Sequence, residues 1–108
     1  MTEVSIGALD ALDVGVGRRF EIGDEAIAVF RTDQGVYAIG DRCSHAEASL
    51  SEGELFGTEV ECPRHGAEFD ITSGKPLSLP ATKPVSTYQT RIEDGRVLIT
   101  IEGEATDG

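Results

Sequence analysis

The chain has 108 residues, with 20 acidic side chains against 9 lysines and arginines and a formal net charge of −11. This length makes one domain, 1–108, with a modest core to which a bound cofactor would add noticeable stability. The charge argues against nucleic acid and anionic membranes as partners, since both need basic surface. No apolar run would span a bilayer and no secretory signal is visible, so a cytoplasmic protein is the expectation.

The first forty residues read as β. Val4, Ile6 and Leu9 suggest a first strand, and Ala11 to Gly17 a small-residue connection. Arg18 to Ile22 is a short strand, Gly23-Asp24 a tight turn, and Ala26 to Arg31 an apolar strand. Asp33-Gln34-Gly35 turns into Val36 to Ile39, apolar throughout. Further on, Ala46 to Ser51 allows one helical turn, and Gly53 and Gly57 bracket a connection. Thr58 to Glu61 and Ala67 to Ile71 are strand-like, and Thr72 to Pro76 is a turn. Leu77 to Pro84, with Pro80 and Pro84, reads as a rigid loop. Val85 to Glu93 alternates as one strand, Asp94-Gly95 is a hairpin signal, and Arg96 to Ile101 is its partner. Residues 102–108 are a polar tail. No stretch keeps a helical apolar period over three turns. The fold class is therefore all-β, an antiparallel sandwich or barrel.

Both cysteines and both histidines fall in two short pairs, Cys43-Ser44-His45 and Cys62-Pro63-Arg64-His65, separated by sixteen residues. Thiolate and neutral imidazole are the ligands that soft and borderline metals prefer. A histidine beside each cysteine fits a reduced metal site better than a disulfide. Three readings compete. The four residues are ordinary surface and core positions; or they form a structural Cys₂His₂ zinc site, although zinc fingers group like ligands together; or they bind a [2Fe–2S] cluster, with the cysteines on one iron and the histidines on the other. Alternation within each loop suits the third, because each loop must then reach both irons.

At this point the sequence resembles the Rieske [2Fe–2S] family. C-x-H, sixteen residues, C-x-x-H matches at Cys43, His45, Cys62 and His65, and Gly66 follows as in the family. The resemblance runs from the early strands to the Leu77–Pro84 loop, which in the family packs over the cluster. It implies an antiparallel β sandwich or barrel carrying a small cluster-binding subdomain, about residues 41–82, made by the two ligand loops. Rieske proteins of respiratory and photosynthetic complexes add one disulfide-bonded cysteine per loop. Those positions match Ala48 and Arg64 here, and no membrane anchor is visible. The chain is thus most similar to soluble Rieske ferredoxins of bacterial ring-hydroxylating oxygenases, and is too short to add a mononuclear iron domain.

The resemblance implies a one-electron carrier, not an enzyme. Two ferric ions and two sulfides carry a charge that two thiolates cancel, while neutral imidazoles add none; a four-cysteine site would start as a dianion. Histidine ligation therefore raises the potential. Cys43 and Cys62 are assigned to the iron that stays ferric, and His45 and His65 to the iron that cycles. The implied donor is an FAD-dependent, NAD(P)H-oxidising ferredoxin reductase, the acceptor a terminal oxygenase, and the carrier a monomer. A Rieske protein of another redox or iron–sulfur assembly system is the alternative.

Around the loops, Arg42, Arg64 and Lys75 are candidates for the cluster face, or solvated charges. Leu77, Leu79 and Pro80 are candidate shields, or core. High-potential members of the family place serine and tyrosine hydroxyls where this chain has Ala67 and Phe69; neither has a donor, and both also read as core residues. From Asp41 to Asp70 there are eight acids, among them Glu47, Glu52 and Glu68, which either steer a basic partner or serve solubility.

Overall fold

The computed structural model describes residues 2–23, 25–42, 48–64, 66–77 and 83–101. Three antiparallel sheets contain the described strands. The central sheet has the order β2 (Gly17–Ile22), β3 (Glu25–Thr32), β4 (Gly35–Gly40) and β8 (Thr87–Tyr88). A second sheet joins β1 (Thr2–Ala8), β10 (Arg96–Ile101) and β9 (Thr90–Glu93), and a third joins β5 (Leu55–Phe56), β6 (Glu59–Glu61) and β7 (Glu68–Asp70). Short 3₁₀ turns occupy Leu9–Ala11 and Leu50–Glu52. Among the described residues no helix is long and apolar enough to cross a membrane.

The central sheet is covered on both faces, which explains its nearly continuous apolar strands. Side chains alternate across a strand, so β3 sends Ala28 and Phe30 to one side and Ile27 and Val29 to the other. The first side meets Ile39, Leu50, Val60, Cys62, Ala67, Phe69, Ile71 and Val85. The second meets Leu12, Val36, Ala38, Val97, Ile99 and Ile101. Each fully buried large apolar side chain contributes about 1.5–3 kcal/mol. One core thus ties the third sheet to the central one, and the other ties on the β1-β10-β9 sheet.

Most boundaries follow the sequence expectations. Asp94 and Gly95 carry φ of 54° and 77°, the left-handed pair of a two-residue hairpin. Arg31 holds the connection after β1 by donating from Nη1 to the carbonyls of Leu9 and Leu12, both at 3.1 Å. Three elements differ. The stretch from Val85 to Glu93 is two strands: β8 pairs with Ala38 and Ile39 of the central sheet, whereas β9 pairs with β10. Gln89 lies at the change of sheet, where its carbonyl accepts from Thr100 N–H at 2.9 Å. The Gly53–Gly57 connection contains β5, paired through Leu55 with Val60. The helical turn expected over Ala46 to Ser51 begins only at Leu50; residues 43–47 lie outside the described residues, as do Asp24, Leu79, Pro80 and the 102–108 tail.

Candidate metal centre

Of the four expected ligands, Cys62 is described; Cys43, His45 and His65 lie outside the described residues. Cys62 follows β6 directly and is fully buried. Its N–H donates to Ala67 O at 2.7 Å, and its own carbonyl accepts from Gly66 N–H at 3.0 Å. These two bonds close the second ligand loop into a tight turn. Gly66 makes the turn with φ 77°, a conformation that side chains disfavour. The strands on either side are in register through Glu61–Glu68 and Val60–Phe69.

The first ligand loop is pinched at its base. Arg42 and Ser49 form an isolated antiparallel bridge. Asp41 N–H donates to Ala26 O at 3.0 Å, and Asp41 O accepts from Leu50 N–H at 2.7 Å. The Asp41 carboxylate is buried as well. Its Oδ1 accepts from Ser51 N–H at 2.8 Å and its Oδ2 from Ser49 Oγ–H at 2.5 Å.

The stems of the two loops meet. Glu61 N–H donates to Glu54 O at 2.9 Å. A Cβ on Gly53 would stand 1.8 Å from Glu61 O, so only glycine allows this approach. Leu50, at the exit of the first loop, shares an apolar cluster with Cys62, Ala67 and Phe69. Beyond β7, Asp70 Oδ1 accepts from Thr72 N–H at 2.8 Å and Thr72 Oγ1–H at 2.7 Å. These bonds, the side-chain one foremost, hold the Asp70 carboxyl below the usual range. Gly74 N–H also donates to Asp70 O at 2.7 Å, so the turn following β7 is fixed from both sides of Asp70.

Sequence reasoning missed Asp41, Ser49 and Ser51, and noted Gly53 only as a boundary. An Asp two residues before a ligand cysteine is a weak signal, and its serine partners come eight and ten residues later with no recognised spacing. Asp41 was counted among the acids of the loop region, but at 2% exposure it cannot steer a partner. Glu52, Glu54 and Glu59 are exposed; Glu47 lies outside the described residues. Arg42, Arg64 and Lys75 are exposed. Leu77 is 46% exposed, so its role is not that of a core residue.

The Rieske [2Fe-2S] domain family matches residues 2–89. The chain belongs to this family. The 3-phenylpropionate/cinnamic acid dioxygenase ferredoxin subunit of Photorhabdus laumondii subsp. laumondii is 41% identical over 105 residues, 96% of this chain and 99% of that subunit. The ferredoxin of carbazole 1,9a-dioxygenase from Nocardioides aromaticivorans IC177 has a TM-score of 0.89 at 36% identity, covering 93% of this chain and 98% of that one. A solved complex of reduced oxygenase and oxidized ferredoxin in carbazole 1,9a-dioxygenase contains a chain matching at TM-score 0.85 and 35% identity, over 91% of this chain and 92% of that one. The all-β Rieske fold is the one expected. As a Rieske ferredoxin the protein carries one Rieske-type [2Fe–2S] cluster and acts as an electron carrier rather than a catalyst.

The described part of the site suits that cluster. Cys62 sits in a dry apolar setting at the mouth of a closed turn, beside the stem of the other loop. The chain's two cysteines and two histidines are of the donor types such a cluster takes.

Proposed function

We propose that this Rieske ferredoxin is the electron-carrying component of a ring-hydroxylating oxygenase system. It would take electrons from an FAD-containing, NAD(P)H-dependent reductase and deliver them to a terminal oxygenase. The observation that carries this reading is the near full-length likeness to a ferredoxin solved in complex with its oxygenase. We assign Cys43 and Cys62 as thiolate ligands of one iron and His45 and His65 as neutral imidazole ligands of the other. When bound, the cluster supplies reversible one-electron chemistry.

The chain's own residues position and insulate. Cys62 is anchored by backbone hydrogen bonds on both sides of its turn, which limits how far its sulfur can wander between redox states. Leu50, Val60, Ala67 and Phe69 keep water from the cysteine side. Ala67 and Phe69 offer no side-chain donor, so sulfur hydrogen bonds there must come from backbone N–H groups. We read residues 1–108 as one domain, monomeric and cytoplasmic, with a cluster-binding subdomain over about 41–82 and a polar tail at 102–108.

Purified protein is expected to be red-brown, to hold two irons and two acid-labile sulfides, and to show on reduction the low average g value of mixed Cys/His ligation. It should pass electrons from such a reductase to such an oxygenase. Colourless protein with stoichiometric zinc and no sulfide, from iron-replete cells, would overturn the reading.

A further inference from the structure

The Asp41 carboxylate stands at the base of the first ligand loop. It is buried, and a buried carboxylate is unfavourable unless hydrogen bonds replace its water. Its ion pair contributes little to that replacement, because Arg19 Nε lies 3.6 Å away on a side chain that is 49% exposed and also meets Glu21 at 2.7 Å. Among the described residues, the contacts that compensate are those with Ser51 N–H and Ser49 Oγ. Ser49 and Ser51 also share a 2.8 Å hydrogen bond between their hydroxyls. The two Asp41 bonds span one gap in sequence, and the serine bond ties their far ends together: Asp41 and Arg42 are the entry stem of the first ligand loop, and Ser49 to Ser51 the exit stem. The backbone bridges of Asp41 with Leu50 and Arg42 with Ser49 close the same gap.

We infer that Asp41 is a positioning residue for the first ligand loop, clasping its two stems, between which Cys43 and His45 fall in the sequence. The inference rests on the reading of those two residues as ligands. Separation of the two stems breaks the clasp, so the clasp sets how often they part, and parted stems would release a cluster held from this loop. An apolar residue at 41 would pack as well but leave Ser51 N–H buried without an acceptor, which costs more than the bond itself.

The test uses the holoprotein and four variants. D41A removes both contacts. D41N keeps an acceptor for Ser51 N–H and a donor for Ser49 Oγ. S49A removes the contact with Asp41 Oδ2 and the Ser49–Ser51 hydroxyl bond, but keeps Ser51 N–H on Asp41 Oδ1. V97A is the control, a cavity in the other core, away from both loops. Cluster loss to a chelator is followed by the decay of visible absorption, alongside thermal unfolding, the EPR line width and the reduction potential. D41A is expected to lose its cluster at least about tenfold faster than wild type and S49A roughly fivefold faster. D41N should rescue most of that loss, and V97A should lower the melting temperature without speeding it. Broader EPR lines in D41A and S49A, but not in V97A, would report a less uniform ligand geometry. If D41A does not fold, S49A against D41N and V97A decides the question. Equal rates of loss in the clasp variants and V97A, at matched unfolding temperature, overturn the role of Asp41 alone. Wild-type protein that never contains iron and sulfide overturns the ligand reading and the clasp with it.

Discussion

Replacing Gly53 by alanine isolates the contact that joins the two ligand loops. Gly53 has φ −80° and ψ 165°, an ordinary extended conformation, so the substitution brings no backbone strain. It brings only a collision: the new Cβ would lie 1.8 Å from Glu61 O and 3.0 Å from Glu61 C. Both are backbone atoms, so no side chain can swing away. Restoring an ordinary contact needs a separation of about 1.5 Å or more, which also stretches the 2.9 Å bond between Glu61 N–H and Glu54 O. Overpacking costs about 1–3 kcal/mol and the bond about 1 kcal/mol. The sum, about 2–4 kcal/mol, corresponds to a fall in melting temperature of roughly 10–20 °C for a domain of this size. Gly57 is the matched control. Its φ of 65° strains an alanine, but nothing lies within 4 Å of the new Cβ, so the expected cost is about 1 kcal/mol. Melting curves of the two holoproteins, with iron content measured on each, make the comparison. G53A should melt well below G57A and carry less cluster, since moving Glu61 moves Cys62 with it. If G53A melts within about 5 °C of G57A and is fully loaded, the close approach of the stems is not as described.

Three other outcomes are open to measurement. Ala67 and Phe69 are both fully buried in the cluster of side chains around Cys62, so A67S and F69Y should each raise the reduction potential, and the pair more than either, from a wild-type value near the low end of the roughly −150 to +300 mV Rieske range; voltammetry showing wild type near the top refutes this. Electron transfer should slow with added salt and in E52K, because exposed acids act over a Debye length of only about 8 Å at physiological ionic strength; rates indifferent to both would leave the acidity as a matter of solubility. The Asp70 carboxyl titrates below its usual value near 4, so its stabilisation is present above that value and is lost as pH falls through the lower folded one; D70N should flatten this acid limb in urea titrations from pH 7 to 3, and an unchanged limb would assign it to other carboxylates.

The strands were legible where burial dictates period. The apolar runs of β3 and β4 reflect a sheet covered on both faces, and Asp94-Gly95 specifies its turn through φ > 0. What alternation does not encode is the partner. Val85 to Glu93 has the same period on both sides of Gln89, yet Thr87 and Tyr88 pair with Ile39 and Ala38 while Thr90 to Glu93 pair with β10. Thr90 even bridges the two sheets, donating from Oγ1 to Val36 O at 2.6 Å. A strand that changes sheet reads as one strand, because each half satisfies its own neighbours. Likewise β5 is two residues long, and two residues have no period to detect.

The sequence offers the candidate donors but not what holds them. Cysteine and histidine are rare enough here that four in two pairs stand out as candidate ligands. Their supports are common residue types whose meaning is geometric. Gly53 is one of 13 glycines, and the 1.8 Å approach to Glu61 O that sets it apart from Gly57, whose surroundings are open, is not written in the sequence. Asp41 is one of 20 acids, and nothing in the sequence marks it as buried. Net charge cannot distinguish an acid that faces solvent and acts through a screened field from one that faces two serines and acts through hydrogen bonds. The first changes how fast a partner arrives. The second changes whether the two stems of the loop stay together. Glu52 and Asp41 lie on opposite sides of that division although both belong to the same acidic stretch, one exposed and the other 2% exposed. Salt should therefore modulate the consequences of E52K and leave those of D41A nearly unchanged.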